Sequence, residues 1–122
     1  MKETDLLTAK IIGCCFKVHR EIGPGFNEKI YQNALTTLFN KENINYITEK
    51  EYEVKYLNAR IGIFRADIVV EEKVIVEIKA VTGDITKLFE KQVISYLKSS
   101  GHKIGLLINF GNESCQIKRL VS

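Results

Sequence analysis

The chain has 122 residues, 45% hydrophobic and 27% charged, with a net charge of +3. That length suits one domain around one core, residues 1–122. No apolar run approaches the ~20 residues that span a bilayer, and "MKETDLLTAK" lacks the uninterrupted apolar stretch of a secretory leader, so a cytoplasmic protein with no membrane partner is expected. The mild positive charge permits a polyanionic partner without demanding one. The three cysteines include no CxxC pair. Cys14 and Cys15 point about 100° apart on a helix, which favours reduced core residues over a zinc site.

A first helix is expected from Thr4 to about Ile22. Leu7, Ile11, Cys14/Cys15, Val18 and Ile22 recur at helical spacing, with Thr4 as a plausible N-cap. "GPG" at Gly23 to Gly25 ends it. A second helix follows, about Asn27 to Lys41, placing Glu28, Tyr31, Leu35 and Leu38 on one face. Alternation in "NINYITEKEYEVKYL" predicts a half-exposed strand near a sheet edge, and "LNAR" a turn. "IGIFRADIVV" and "VIVEIKAV" read as two more strands, joined by the tight loop "EEK". A third helix is expected from Asp84 to Ser100, capped by Asp84 or Thr86 and stopped by Gly101. "KIGLLINF" is a near-continuous apolar strand suited to a buried parallel position, and "CQIKRLV" a last strand. The order α-α-β-β-β-α-β-β gives an α/β fold: a mixed central sheet flanked by helices, with a right-handed crossover between the two apolar strands.

In "VIVEIKAV" both parities look buried, yet Glu77 and Lys79 interrupt the run. With Glu71, Glu72 and Lys73 as the loop, Val70 pairs with Val74. Asp67 then lies opposite Glu77, on the face that Lys79 shares. Two adjacent carboxylates repel each other, and burying them costs several kcal/mol per ion unless they are paired or bind metal. A divalent cation such as Mg2+, held by oxygen ligands, relieves that repulsion and can stabilise charge on a phosphoryl oxygen. An ion-paired, solvent-exposed sheet face is the competing reading. Gln92 and Tyr96, four apart on the next helix, share a face and could support such a site. Taken alone, Tyr96 reads more simply as an amphipathic core aromatic and Gln92 as a boundary residue.

Asp67 followed by Glu77-Ile78-Lys79 resembles the D…(D/E)xK signature of the PD-(D/E)XK nuclease superfamily. Gln92 to Tyr96 resembles the QxxxY element of its RecB-like branch, and Gly25 to Tyr31 matches the motif of the GxxExxY family. "VHREIGPGFNEKIY", "FRADIVV" and "GLLINFG" are similar to that family as well, so the resemblance covers nearly the whole chain. It implies a restriction-endonuclease-like core. It also implies metal ligation by Asp67, Glu77, the main-chain carbonyl of Ile78 and Glu28, with Lys79 catalytic. Gln92 and Tyr96 would support the site or contact substrate, with Tyr31 beside them. Ala66 stands where the signature has proline. The implied activity is Mg-dependent hydrolysis of phosphodiester bonds in DNA, with Mn2+ as a substitute metal. Two alternatives stay open: a catalytically inactive nuclease-fold module binding nucleic acid or a protein partner, and a homodimer formed through the exposed strand around Glu51 to Tyr56. Glu28 also has a purely structural role to weigh, as an acid facing a helix dipole. His19 reads as structural and His102 as exposed.

Overall fold

A computed structural model describes residues 3–122. Its elements run α1 (Glu3–Ile22), α2 (Glu28–Lys41), β1 (Tyr46–Tyr56), β2 (Ala59–Val70), β3 (Val74–Lys79), α3 (Lys87–Ser100), β4 (Ile104–Asn109) and β5 (Gln116–Val121). This is the expected order. The five strands form one sheet in the order β1-β2-β3-β4-β5, antiparallel except for the parallel β3–β4 pair. No helix among the described residues is long and apolar enough to cross a membrane.

The sheet separates two clusters of buried side chains. On one face α1 and α2 contribute Ile11, Cys15, Val18, Tyr31, Leu35 and Phe39 against Ile68, Val70, Val76, Ile78, Leu106 and Ile108. On the other, Val93 and Leu97 of α3 pack on Ala66, Val69, Ile75 and Leu107. Burial on both faces explains why β3 and β4 read as continuous apolar runs. The cysteines are free; Cys14 and Cys15 are buried and Cys115 half-buried.

Local signals set most boundaries. Asn27 caps α2 by accepting from the Ile30 N–H, and Gly101 ends α3 at φ 82°. Thr4 is not a cap, because α1 already begins at Glu3. α3 starts three residues later than expected: Thr86 is its cap, and Asp84 lies in the loop before it. Leu88, in the first turn of α3, is exposed. His102 is half-buried, its Nε2 2.8 Å from the Tyr52 hydroxyl, so the expectation of an exposed histidine fails on a long-range contact. His19 is buried, with Nε2 2.7 Å from the Asn112 carbonyl oxygen.

β1 is the edge strand, as its alternation suggested. The β2–β3 loop places Glu71 and Glu72 at positive φ, and Val70 pairs with Val74 in the counted register.

Candidate functional site

β2 and β3 pair regularly only from Val70–Val74 to Ile68–Val76. One step further the side chains take over. The Ile78 N–H donates to Asp67 Oδ2 at 2.8 Å, and the Asp67 N–H donates to Glu77 Oε1 at 3.2 Å. Asp67 and Glu77 are therefore adjacent, as the hairpin count implies, but they replace the ladder instead of standing above it. One oxygen of each carboxyl is committed to main chain, while Asp67 Oδ1 and Glu77 Oε2 accept from no main-chain donor.

A break in strand alternation makes this possible. Phe64 stacks on Tyr96, and Ala66 and Val69 pack in the α3-side cluster, while Ile68 packs on the opposite face. The side-chain parity of β2 thus switches between Ala66 and Ile68, at Asp67. On β1 the facing residue is Glu49, between the pairs Thr48–Ile68 and Lys50–Ala66, and its φ is +53°. Irregularities of this kind re-aim a side chain and are over-represented beside active sites.

Glu77 is 5% exposed. Its carboxyl is pushed up to about 9, first by burial, then by the neighbouring charge of Asp67 and a hydrogen bond shared with the Asp67 carboxyl. The Asp67 N–H and the Lys79 ammonium oppose this shift without overcoming it. Without a further cation, Glu77 is therefore protonated at neutral pH. Neither acid has a salt bridge among the described residues. Two adjacent carboxyls, one of them buried and both short of positive charge, suit a hard divalent cation that would displace the Glu77 proton. The donor set fits that group.

Lys79 is half-buried at the end of β3, with Nζ 4.4 Å from the centroid of the Phe89 ring. It borders an open cleft of about 390 Å³ lined also by Leu88, Phe89, Lys91, Gln92 and Ser95. Gln92 therefore faces the same space as Lys79. Tyr96 stands between the two features. Its ring stacks on Phe64 at 4.2 Å, and its hydroxyl is held above the usual phenol range by burial and by the charges of Glu77 and Asp67.

The other two residues stand apart. Tyr31 is fully buried, stacks on Phe110 at 4.6 Å and donates its hydroxyl to the Gly23 carbonyl at 2.6 Å. It pins the "GPG" turn. Glu28 is exposed in the first turn of α2, whose neighbouring Lys29 reaches Glu49 at 3.6 Å. No three His, Cys, Asp or Glu residues among those described come close enough to share a cation, so Glu28 does not close on the Asp67–Glu77 pair.

Asn109 escaped the sequence reading. It is fully buried at the end of β4, paired with Lys79 across the parallel ladder. Its Oδ1 accepts from the Val81 and Gly111 N–H groups, and its Nδ2 donates to the Val81 and Gly83 carbonyls. Gly111 completes the clamp: a Cβ there would come within 2.3 Å of the Val81 carbonyl oxygen. Together they fix the chain just after Lys79. The available signal was a lone amide in the apolar run "GLLINFG".

The model of the PD-(D/E)XK nuclease superfamily matches residues 5–120. The fold is similar to that in the crystal structure of SSO0001, with a TM-score of 0.61 at 18% identity. The match covers 77% of this chain and 49% of that one, so the chain spans about half the length of that protein. At this identity the likeness is one of fold. No curated protein matches the sequence.

Proposed function

The chain belongs to the PD-(D/E)XK nuclease superfamily, and we propose on that footing that it is a Mg-dependent nuclease hydrolysing phosphodiester bonds in DNA. The Gly25–Tyr31 and Gln92–Tyr96 motifs support placing it in the GxxExxY family and the RecB-like branch. The observation that carries the reading is the pairing of half-buried Asp67 with buried Glu77 beside Lys79, at the carboxyl end of the parallel β3–β4 pair. Ligands in open α/β sheets gather outside the carboxyl ends of strands.

In this reading Asp67 and Glu77 would hold a divalent cation, together with the main-chain carbonyl of Ile78. Mn2+ would substitute for Mg2+. The bound metal supplies stabilisation of charge on phosphoryl oxygen and lowers the pKa of a water. The protein's own groups do the rest. Glu77 holds the proton that a cation there would have to displace, which would tie metal loading to pH. Lys79 lies on the face of Glu77 and borders the open cleft, where its ammonium offsets charge developing on the phosphate or orients the attacking water. Water attack breaks the P–O bond, leaving one phosphate end and one hydroxyl end. Phe89 keeps the Lys79 chain from swinging into solvent, and Gln92 offers an amide to substrate from across the cleft. Tyr96 walls the carboxylates. Glu28 is the outermost member of the proposed set, at the helix start tied to Glu49, and Tyr31 anchors the turn leading into that helix.

Single-stranded, duplex and branched DNA incubated with the protein and Mg2+ test this directly. Cleavage that stops when the metal is chelated is expected. A folded protein that leaves all three substrates intact overturns the reading. Salt-dependent binding without hydrolysis would favour a nuclease fold kept as a binding module.

A further inference from the structure

β1 and β2 run on well past the helices. Every residue from Lys55 to Ile63 is exposed, so the end of the hairpin stands clear as a two-stranded arm. Two local choices at its tip work against its own stability. Leu57 and Asn58 form the two-residue turn, at φ 50° and 65°. Such turns favour Asn or Gly at both positions, and a bulky residue with positive φ is uncommon. Leu57 is also 84% exposed, so no intramolecular packing repays the strain. Secondly, Lys55 is the direct cross-strand partner of Arg60. Like charges directly opposite one another destabilise a ribbon. Neither has an ion-pair partner among the described residues, and they are the only charged residues from Val54 to Ile63.

The arm continues the face that bears the candidate site. Beyond the parity switch, Tyr52, Phe64 and Ala66 lie on the α3 side, and Lys55 shares a cleft with Glu53, Lys98 and Ser99 near the end of α3, where two cations outnumber the one acid. An anion placed between Lys55 and Arg60 removes their repulsion, and an apolar tip at Leu57 suits contact with stacked bases. A two-stranded ribbon also fits the major groove of a duplex. We infer that the β1–β2 arm is a grip for duplex DNA, with Lys55 and Arg60 on phosphates of the groove walls and Leu57 against the base edges. This rests on the nuclease reading and names the surface that orients its substrate. From Asn58 to Asp67 the strand spans about 30 Å, at ~3.3 Å per residue. The arm therefore reaches roughly nine base pairs from the site at ~3.4 Å per step.

The test is binding of a fluorescent duplex longer than that reach, in chelator and across a salt series, to wild type, Lys55→Ala/Arg60→Ala and Leu57→Gly. The double variant is expected to bind about tenfold more weakly at low salt, with a log–log salt slope smaller by about 1.8, two phosphates at ~0.9 each. Leu57→Gly relaxes the turn, so its melting temperature holds or rises while its affinity falls several-fold. Hydrolysis of bis-p-nitrophenyl phosphate, too small to reach the arm, stays at the wild-type rate in both. Wild-type affinity and slope in the arm variants overturn the inference. So does single-stranded DNA bound as tightly and with the same arm dependence, or a wild-type dimer in light scattering that Leu57→Gly turns to monomer. Arm-dependent binding with no hydrolysis of any substrate leaves the grip standing and fells the nuclease reading. Hydrolysis of duplex and diester alike, indifferent to the arm variants, does the reverse.

Discussion

Lys79→Ala lowers the rate of DNA cleavage by about 10²–10³-fold, the usual cost of losing one group that stabilises charge in the transition state. Affinity for DNA and the melting temperature change little. The separation follows from where Lys79 sits. It is half-buried and borders an open cleft, and its ammonium lies over the face of Phe89 with no salt bridge among the described residues. Exposed cation–π contacts contribute about 0.5–1 kcal/mol, so the fold tolerates its removal. Asp67 behaves differently. Asp67→Ala would also abolish cleavage, but it strips the Ile78 N–H of its acceptor, at a cost of about 1–3 kcal/mol. Asp67→Asn keeps an acceptor while weakening ligation, which makes it the cleaner partner experiment. Single-turnover cleavage with circular dichroism on the same samples reads both effects. A folded Lys79→Ala variant with wild-type turnover would remove Lys79 from the chemistry.

Glu77→Gln moves stability and activity in opposite directions. The folded protein keeps the Glu77 proton up to about pH 9, whereas the unfolded chain releases it near 4.5. Between those values the native state binds more protons, so stability falls as pH rises through that window. The contribution is fully present below 4.5 and is lost progressively toward 9. An amide cannot ionise. It can still accept from the Asp67 N–H, and its NH2 group can donate to the Asp67 carboxylate. The variant should therefore be more stable than wild type at pH 8, by on the order of 2 kcal/mol, with a flatter pH profile. It should also lose metal-dependent cleavage. Urea melts from pH 5 to 9 measure the first effect. A variant that is less stable at pH 8, or that keeps the wild-type slope, would mean that Glu77 is not the buried proton carrier described here. Metal opposes the same proton, so Mg2+ should recover wild-type stability most at high pH.

Much of this site could be read from residue order. The three-residue loop fixed the Val70–Val74 register, and counting outward placed Asp67 beside Glu77. The continuous burial of Val74 to Ile78 agrees with the reading of both parities as apolar. What local patterns could not carry came from longer-range contacts. The parity switch at Asp67 depends on Glu49 of another strand adopting positive φ, and glutamate gives no sign of that. Helical spacing put Glu28 on the face of Tyr31 and Leu35, yet the first turn of α2 opens to solvent. His102 looked like a turn residue until Tyr52, fifty residues earlier, bonded to it. Asn109 was hidden because periodicity sorts residues into apolar and polar faces and has no place for a buried amide that bonds only main chain. The arm was seen as an edge strand and a turn; its projection depends on where the helices stop.

A crystal soaked in Mn2+ and measured for anomalous scattering bears most directly on the carboxylate pair. The expected result is a peak between Asp67 and Glu77, within ligand distance of both carboxyls, that disappears in Glu77→Gln. A Mn2+-saturated crystal with no peak there, or with its only peak elsewhere on the protein, would contradict the assignment of this pair as the metal site.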